Sequence, residues 1–68
     1  MQMIPVASSD IESVGYENTV LHIRFNSGGL YEYSNVPRTV YEGLMNAASH
    51  GKYFHAYIKG QYGDTRIG

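Results

Sequence analysis

The run Thr19–Phe25, TVLHIRF, constrains this chain more than any other stretch. Leu21, Ile23 and Phe25 alternate with His22 and Arg24, the period of a strand that is apolar on one face. NSGG, Asn26–Gly29, follows with the glycines that a tight turn needs for positive φ. The chain then returns as GLYEYS, so the two runs predict an antiparallel hairpin. A strand here sets Tyr31 and Tyr33 on one face and Leu30 and Glu32 on the other. Which pair joins the face of Leu21 and Ile23 depends on register, because a slip of one residue exchanges the faces.

The apolar face of that hairpin must be covered. Ile11–Tyr16 is a further strand candidate, weakened by Gly15, with a turn at Asn18 between it and TVLHIRF. After the hairpin, Pro37 suits the first position of a helix, where its missing N–H costs nothing. Val40, Leu44 and Ala48 recur every four residues and are flanked by Tyr41 and Met45, which predicts a helix from Pro37 to about Ala48. Gly43 weakens it by about 1 kcal/mol relative to alanine, so tertiary packing must hold it. Ser49 can end this helix and cap a second, roughly Gly51–Ile58, which Gly60 stops. QYGDTRIG then reads as an extended tail able to pair with the sheet edge. The expected fold is a single α+β domain over residues 1–68, a three-stranded antiparallel β-meander followed by two short α-helices.

Size and charge bound the function classes. A chain of 68 residues buries only about 60% of its unfolded surface, so its core is marginal. There is no cysteine to staple it, and self-association into a homo-oligomer is one remaining source of help. The N-terminal stretch shows no cationic region ahead of an apolar run, and no segment is long and apolar enough to span a bilayer. The default expectation is therefore a cytoplasmic protein with no membrane partner. The net charge of −1 argues against bulk electrostatic capture of nucleic acid. The charge is uneven, however: Asp10, Glu12, Glu17 and Glu32 face a lone Arg24 in the first half, whereas Arg38, Lys52, Lys59 and Arg66 outnumber Glu42 and Asp64 in the second.

Catalytic and metal signatures are weak. His22, His50 and His55 come without a carboxylate cluster or the four ligands of a structural zinc site, so neither metal nor cofactor is expected. Phosphodiester cleavage by His50, Lys52, His55, Lys59 and Arg66 is a conceivable chemistry, but the pattern is nonspecific and a non-enzymatic role is favoured. More informative are seven tyrosines against two phenylalanines and no tryptophan. Rings interleaved with cations suit base stacking with phosphate neutralisation. That texture runs through Arg38, Tyr41, Lys52, Tyr53, His55, Tyr57, Lys59, Tyr62 and Arg66. Tyr41 and Tyr57 lie near the helices' apolar stripes and are expected in the core; Tyr53, Tyr62 and His55 are the expected surface positions.

In order, SSDIESVGY, a strand ending FNSGG, YEYSNVP and VYEGLMNAASHGKYFHAYIKGQY resemble the KTSC domain, a module of about sixty residues found at the C-terminus of some lysyl-tRNA synthetases and also free-standing. Tyr31 and Tyr33 match its central pair, and Ser49, Gly51 and Phe54 match its loop and second helix. The resemblance implies a role suggested for the family, RNA binding. The residues themselves favour a binding module for a small phosphate-bearing ligand, a nucleotide or a cyclic or short oligonucleotide, one use of which is to sequester a nucleotide signal. A structural or protein-interaction module is the third reading. The candidate ligand residues are Lys52, Tyr53, His55, Lys59, Tyr62, Arg66 and Arg38, with Tyr31 and Tyr33 expected to pack more than to touch ligand.

Overall fold

The computed structural model describes all 68 residues. Five strands form one antiparallel sheet in chain order: β1 (Ile4–Pro5), β2 (Ile11–Glu17), β3 (Val20–Phe25), β4 (Leu30–Tyr33) and β5 (Asp64–Arg66). Helices α1 (Arg38–Asn46) and α2 (His50–Tyr57) stand between β4 and β5 in sequence. They cover one face of the sheet.

The three-stranded meander expected from sequence is thus the centre of a wider sheet, and four of the five strands precede the helices. β1 is two residues long and exposed, and Pro5 gives it no alternation to read; proline is tolerated there because β1 is an edge. The C-terminal tail does pair with the sheet edge, where Tyr31 faces Arg66 and Tyr33 faces Asp64.

Register settles the tyrosine pair. Leu21 stands opposite Tyr33 and Ile23 opposite Tyr31, so both rings share the core face, and His22 meets Glu32 on the open face. In β2 the pairing shifts between Ile11, opposite Phe25, and Ser13, opposite Arg24. This bulge takes up one extra residue and lets Ile11 and Val14, three apart, both point inward. Gly15 does not break the strand, because the N-terminal segment lies over it: a Cβ there would sit 2.7 Å from the Met3 sulfur. Asn18 and Thr19, both at positive φ (50° and 65°), make the turn that begins β3 one residue later than expected.

α1 is shorter than the periodicity suggests, and α2 begins and ends one residue earlier than expected. Pro37 is extended and serves as the N-cap of α1, its carbonyl accepting from the Val40 and Tyr41 amides. The helix ends at Asn46, so Ala48 lies outside it. Ser49 caps α2 as expected, its Oγ accepting from the Lys52 amide at 3.2 Å. At the far end the Lys59 amide donates to Phe54, and Gly60 follows at φ +76°. Ile11, Val14, Leu21, Ile23, Tyr33, Val36, Leu44, Phe54 and Ile58 form the core. Tyr16 stacks on Tyr41 at 4.6 Å, and its hydroxyl donates to the Val36 carbonyl at 2.6 Å.

Candidate functional site

The sheet's core face is not fully covered by the helices. At the end where β3 turns into β4, α2 leaves a cleft of about 450 Å³. Its floor is aromatic: Phe25, Tyr31 and Tyr33 from the sheet, and Phe54 from α2. Phe54 is the hub, meeting Phe25 at 5.2 Å and Tyr33 at 5.7 Å, both edge-to-face, while Phe25 meets Tyr31 at 5.6 Å. Ser9, Asp10, Asn26, Ser27, His55, Lys59 and Asp64 supply a polar rim.

Asn26 builds part of that rim. Its amide donates to the Asp10 carbonyl at 2.9 Å and its Nδ2 to the Ser8 carbonyl, also at 2.9 Å. The Ser8 Oγ accepts from the Asp10 and Ile11 amides at 3.1 Å each. The loop before β2 is thereby tied to the β3–β4 turn, and Asp10 is held against α2. One carboxylate oxygen of Asp10 lies 3.6 Å from Nε2 of His55, and a Cβ at Gly51 would come within 2.9 Å of the same oxygen. Glycine at position 51 is therefore what permits this close approach.

Beyond Asp10 and His55 lies a second, more polar cleft of about 420 Å³, bounded by Ser8, Ser9, Ser49, His50 and Lys52 among others. Ser9, Asp10 and His55 line both clefts. Neither Lys52 nor Lys59 has a carboxylate within salt-bridge distance; the ion pairs of the chain are Met1 amine–Glu17, His22–Glu32, Arg38–Glu42 and His55–Asp10. Tyr33, 3% exposed, has its phenol pushed up to about 12, by burial first, then by the Asp64 carboxylate and by Tyr31.

Of the residues singled out from sequence, Tyr31, Tyr33, His55 and Lys59 converge on the aromatic cleft, and Lys52 joins His55 in the second. The other four lie elsewhere. Arg38 pairs with Glu42 at 3.2 Å on the outer face of α1. Arg66 donates to the Gly68 carbonyl on the sheet edge. Tyr53 and Tyr62, expected at the surface, are half-buried against the core, whereas Tyr57, expected in the core, is 59% exposed and meets Tyr53 at 4.6 Å. The histidines go separate ways: His22 to Glu32, His50 to the Leu44 carbonyl at 2.8 Å, and His55 to Asp10. Ser9, Asp10, Phe25, Asn26, Ser27 and Asp64 were not singled out as ligand residues, because they converge only through tertiary pairing; NSGG, which holds Asn26 and Ser27, signals a hairpin turn and by itself no site.

Fold and cleft together define a two-layer α+β domain of about sixty residues, with its concave site between the sheet and the second helix. The chain belongs to the KTSC domain family, whose model matches residues 7–62. A KTSC domain protein from Yersinia pestis has a crystal structure that superimposes with a TM-score of 0.96 at 40% identity, covering 98% of this chain and 97% of that one. A lysine–tRNA ligase of Nostoc sp. is 52% identical over 56 residues, 79% of this chain and 10% of the ligase. An uncharacterized protein of Stutzerimonas stutzeri is 38% identical over 64 residues, 91% of this chain and 90% of its own length. The chain thus corresponds to about a tenth of the ligase it matches, and to nearly the whole of the Stutzerimonas protein. No helix is long and apolar enough to cross a membrane.

Proposed function

We propose that this domain is a binding module for a nucleotide-like ligand, which it holds without transforming. The observation that carries the reading is the aromatic-floored cleft with the unpaired Lys59 at its rim. A planar base can lie against Phe25 and Tyr31, a contact worth about 1–3 kcal/mol and tolerant of base identity. Lys59 supplies donors for a phosphate, and Asn26 and Ser27 stand with it on the rim. Asp10 and Asp64 are acceptors only, so they suit a base amino group or a ribose hydroxyl and turn phosphate toward Lys59. Isothermal titration against mono-, cyclic and short oligonucleotides, with recovery of the ligand afterwards, tests the reading. Saturable binding that weakens in Lys59→Gln, with the ligand recovered intact, supports it; heat-silent titrations across the panel reject it, and a cleaved ligand rejects the non-enzymatic part.

Similarity to a lysine–tRNA ligase segment favours a second reading, in which the ligand belongs to an RNA. Gel shifts with tRNA at two salt concentrations separate the two. Salt-sensitive retention supports RNA, and absence of retention confines the cleft to small ligands.

A further inference from the structure

We infer that the two clefts are one groove along α2, and that its occupant is a single-stranded ribonucleotide segment of at least two residues rather than a mononucleotide; this rests on the nucleotide reading above. Lys52, His55 and Lys59 stand at spacings of three and four along α2 and its C-terminal turn, which places them on one side. The helix itself ends at Tyr57, and Lys59 stands in the turn that follows, its amide closing back on the Phe54 carbonyl. Lys59 lines only the aromatic cleft and Lys52 only the polar one, with Asp10 and His55 between them, and each lysine is free of carboxylate partners.

The centre of the groove has the opposite character. Ser9, Asp10 and His55 are common to both clefts. The Asp10 carboxylate is half exposed, and its oxygens make no hydrogen bond shorter than the 3.6 Å contact to His55. The groove therefore reads cation, carboxylate, cation from Lys59 to Lys52. A phosphate is repelled at the middle position and drawn to Lys52 at one end and to Lys59 at the other, in a cleft that Asp64 also lines. In a polynucleotide, the group between successive phosphates is the sugar, and a ribose hydroxyl can donate to a carboxylate where deoxyribose lacks that donor. The aromatic floor beside Lys59 takes the base, so the strand runs from a stacked nucleotide at Phe25 and Tyr31, past Asp10, to a phosphate at Lys52.

The test is titration of the full chain with a mononucleotide, a diribonucleotide, a tetraribonucleotide, the matching tetradeoxyribonucleotide and a blunt RNA duplex. Affinity rises at least about fivefold from mononucleotide to tetraribonucleotide, as one added phosphate contact with partial stacking allows. Lys52→Gln removes that rise, Lys59→Gln weakens every ligand, and the ribonucleotide is preferred at least about threefold over its deoxy form. Both lysines are exposed, so the variants keep their fold. Equal affinity for mononucleotide and tetranucleotide overturns the inference while leaving the nucleotide reading intact. Equal binding of ribo and deoxy forms overturns the role of Asp10, and a blunt duplex that binds as tightly as the single strand overturns the single-stranded assignment. Silence with every ligand rejects the nucleotide reading and the inference together.

Discussion

The ring of Tyr53 lies over Gly43: a Cβ built on that glycine would stand 2.6 Å from the tyrosine's ζ carbon and overlap its hydroxyl. A glycine inside α1 is thus explained by a ring from α2, and the two helices are fitted together at this point. Exposed glycine-to-alanine changes in helices usually stabilise, by about 1 kcal/mol. Here Gly43→Ala is expected to destabilise by roughly 1–2 kcal/mol, since the ring must leave its site. In a Tyr53→Ala background the same change should stabilise, by up to about 1 kcal/mol. Urea unfolding of the four proteins measures the coupling directly, and additive effects would show that the overlap costs nothing.

Gly51 presents the contrasting case. What a side chain would meet there is the flexible end of Asp10, with its carboxylate oxygen at 2.9 Å. Gly51→Ala is expected to move that carboxylate away from His55 with little loss of stability, within about 1 kcal/mol of the parent, because alanine's helix propensity offsets the displacement. The His55 ring nitrogens, followed by NMR, should change their shifts while the unfolding midpoint holds. A protein that unfolds outright would mean that the Asp10 loop supports the fold itself.

Tyr33 gives the domain an alkaline limit. Its phenol is neutral when protonated, and its folded-state value near 12 lies above the usual 10. The unfolded chain therefore releases this proton first as pH rises. The stabilisation is complete below pH 10 and is lost between pH 10 and pH 12. Urea midpoints for the parent should fall across that window more steeply than those of Tyr33→Phe, which keeps the ring and its contact with Phe54. Parallel curves would place the alkaline transition on another group.

These residues show where the sequence was readable. The alternation in TVLHIRF and the turn glycines placed the central hairpin, and Ser49 and Gly60 bounded α2, because each signal is local. Register was not local: only the pairing of Ile23 with Tyr31 decides that both tyrosines face the helices. β1 and β5 carry no alternation, since every residue in them is exposed. The candidate site divides in the same way. Lys52 and His55 belong to α2 and Lys59 to the turn after it, within reach of spacing arguments, whereas Asp10 joins them through a loop anchored by Asn26, just past the end of β3. Tyr57 and Tyr53 exchanged their expected places because both sit on one helix side, and the ring of Tyr53, over Gly43, is the one that was covered.

Salt dependence provides a measure of how many phosphates the groove engages. Each neutralised phosphate of a single strand contributes a slope of about −0.7 to a plot of log affinity against log salt. With Lys59 and Lys52 each on one phosphate, a tetraribonucleotide should give a slope near −1.4, within that same relation. Lys52→Gln should bring it to about −0.7, and the double variant Lys52→Gln, Lys59→Gln toward zero. Arg38→Gln should leave the slope where it was, because Arg38 lies on the outer face of α1, paired with Glu42. A slope unchanged by Lys52→Gln would assign the second contact to a cation outside the groove, and the line of charge along α2 would then have no part in holding the strand.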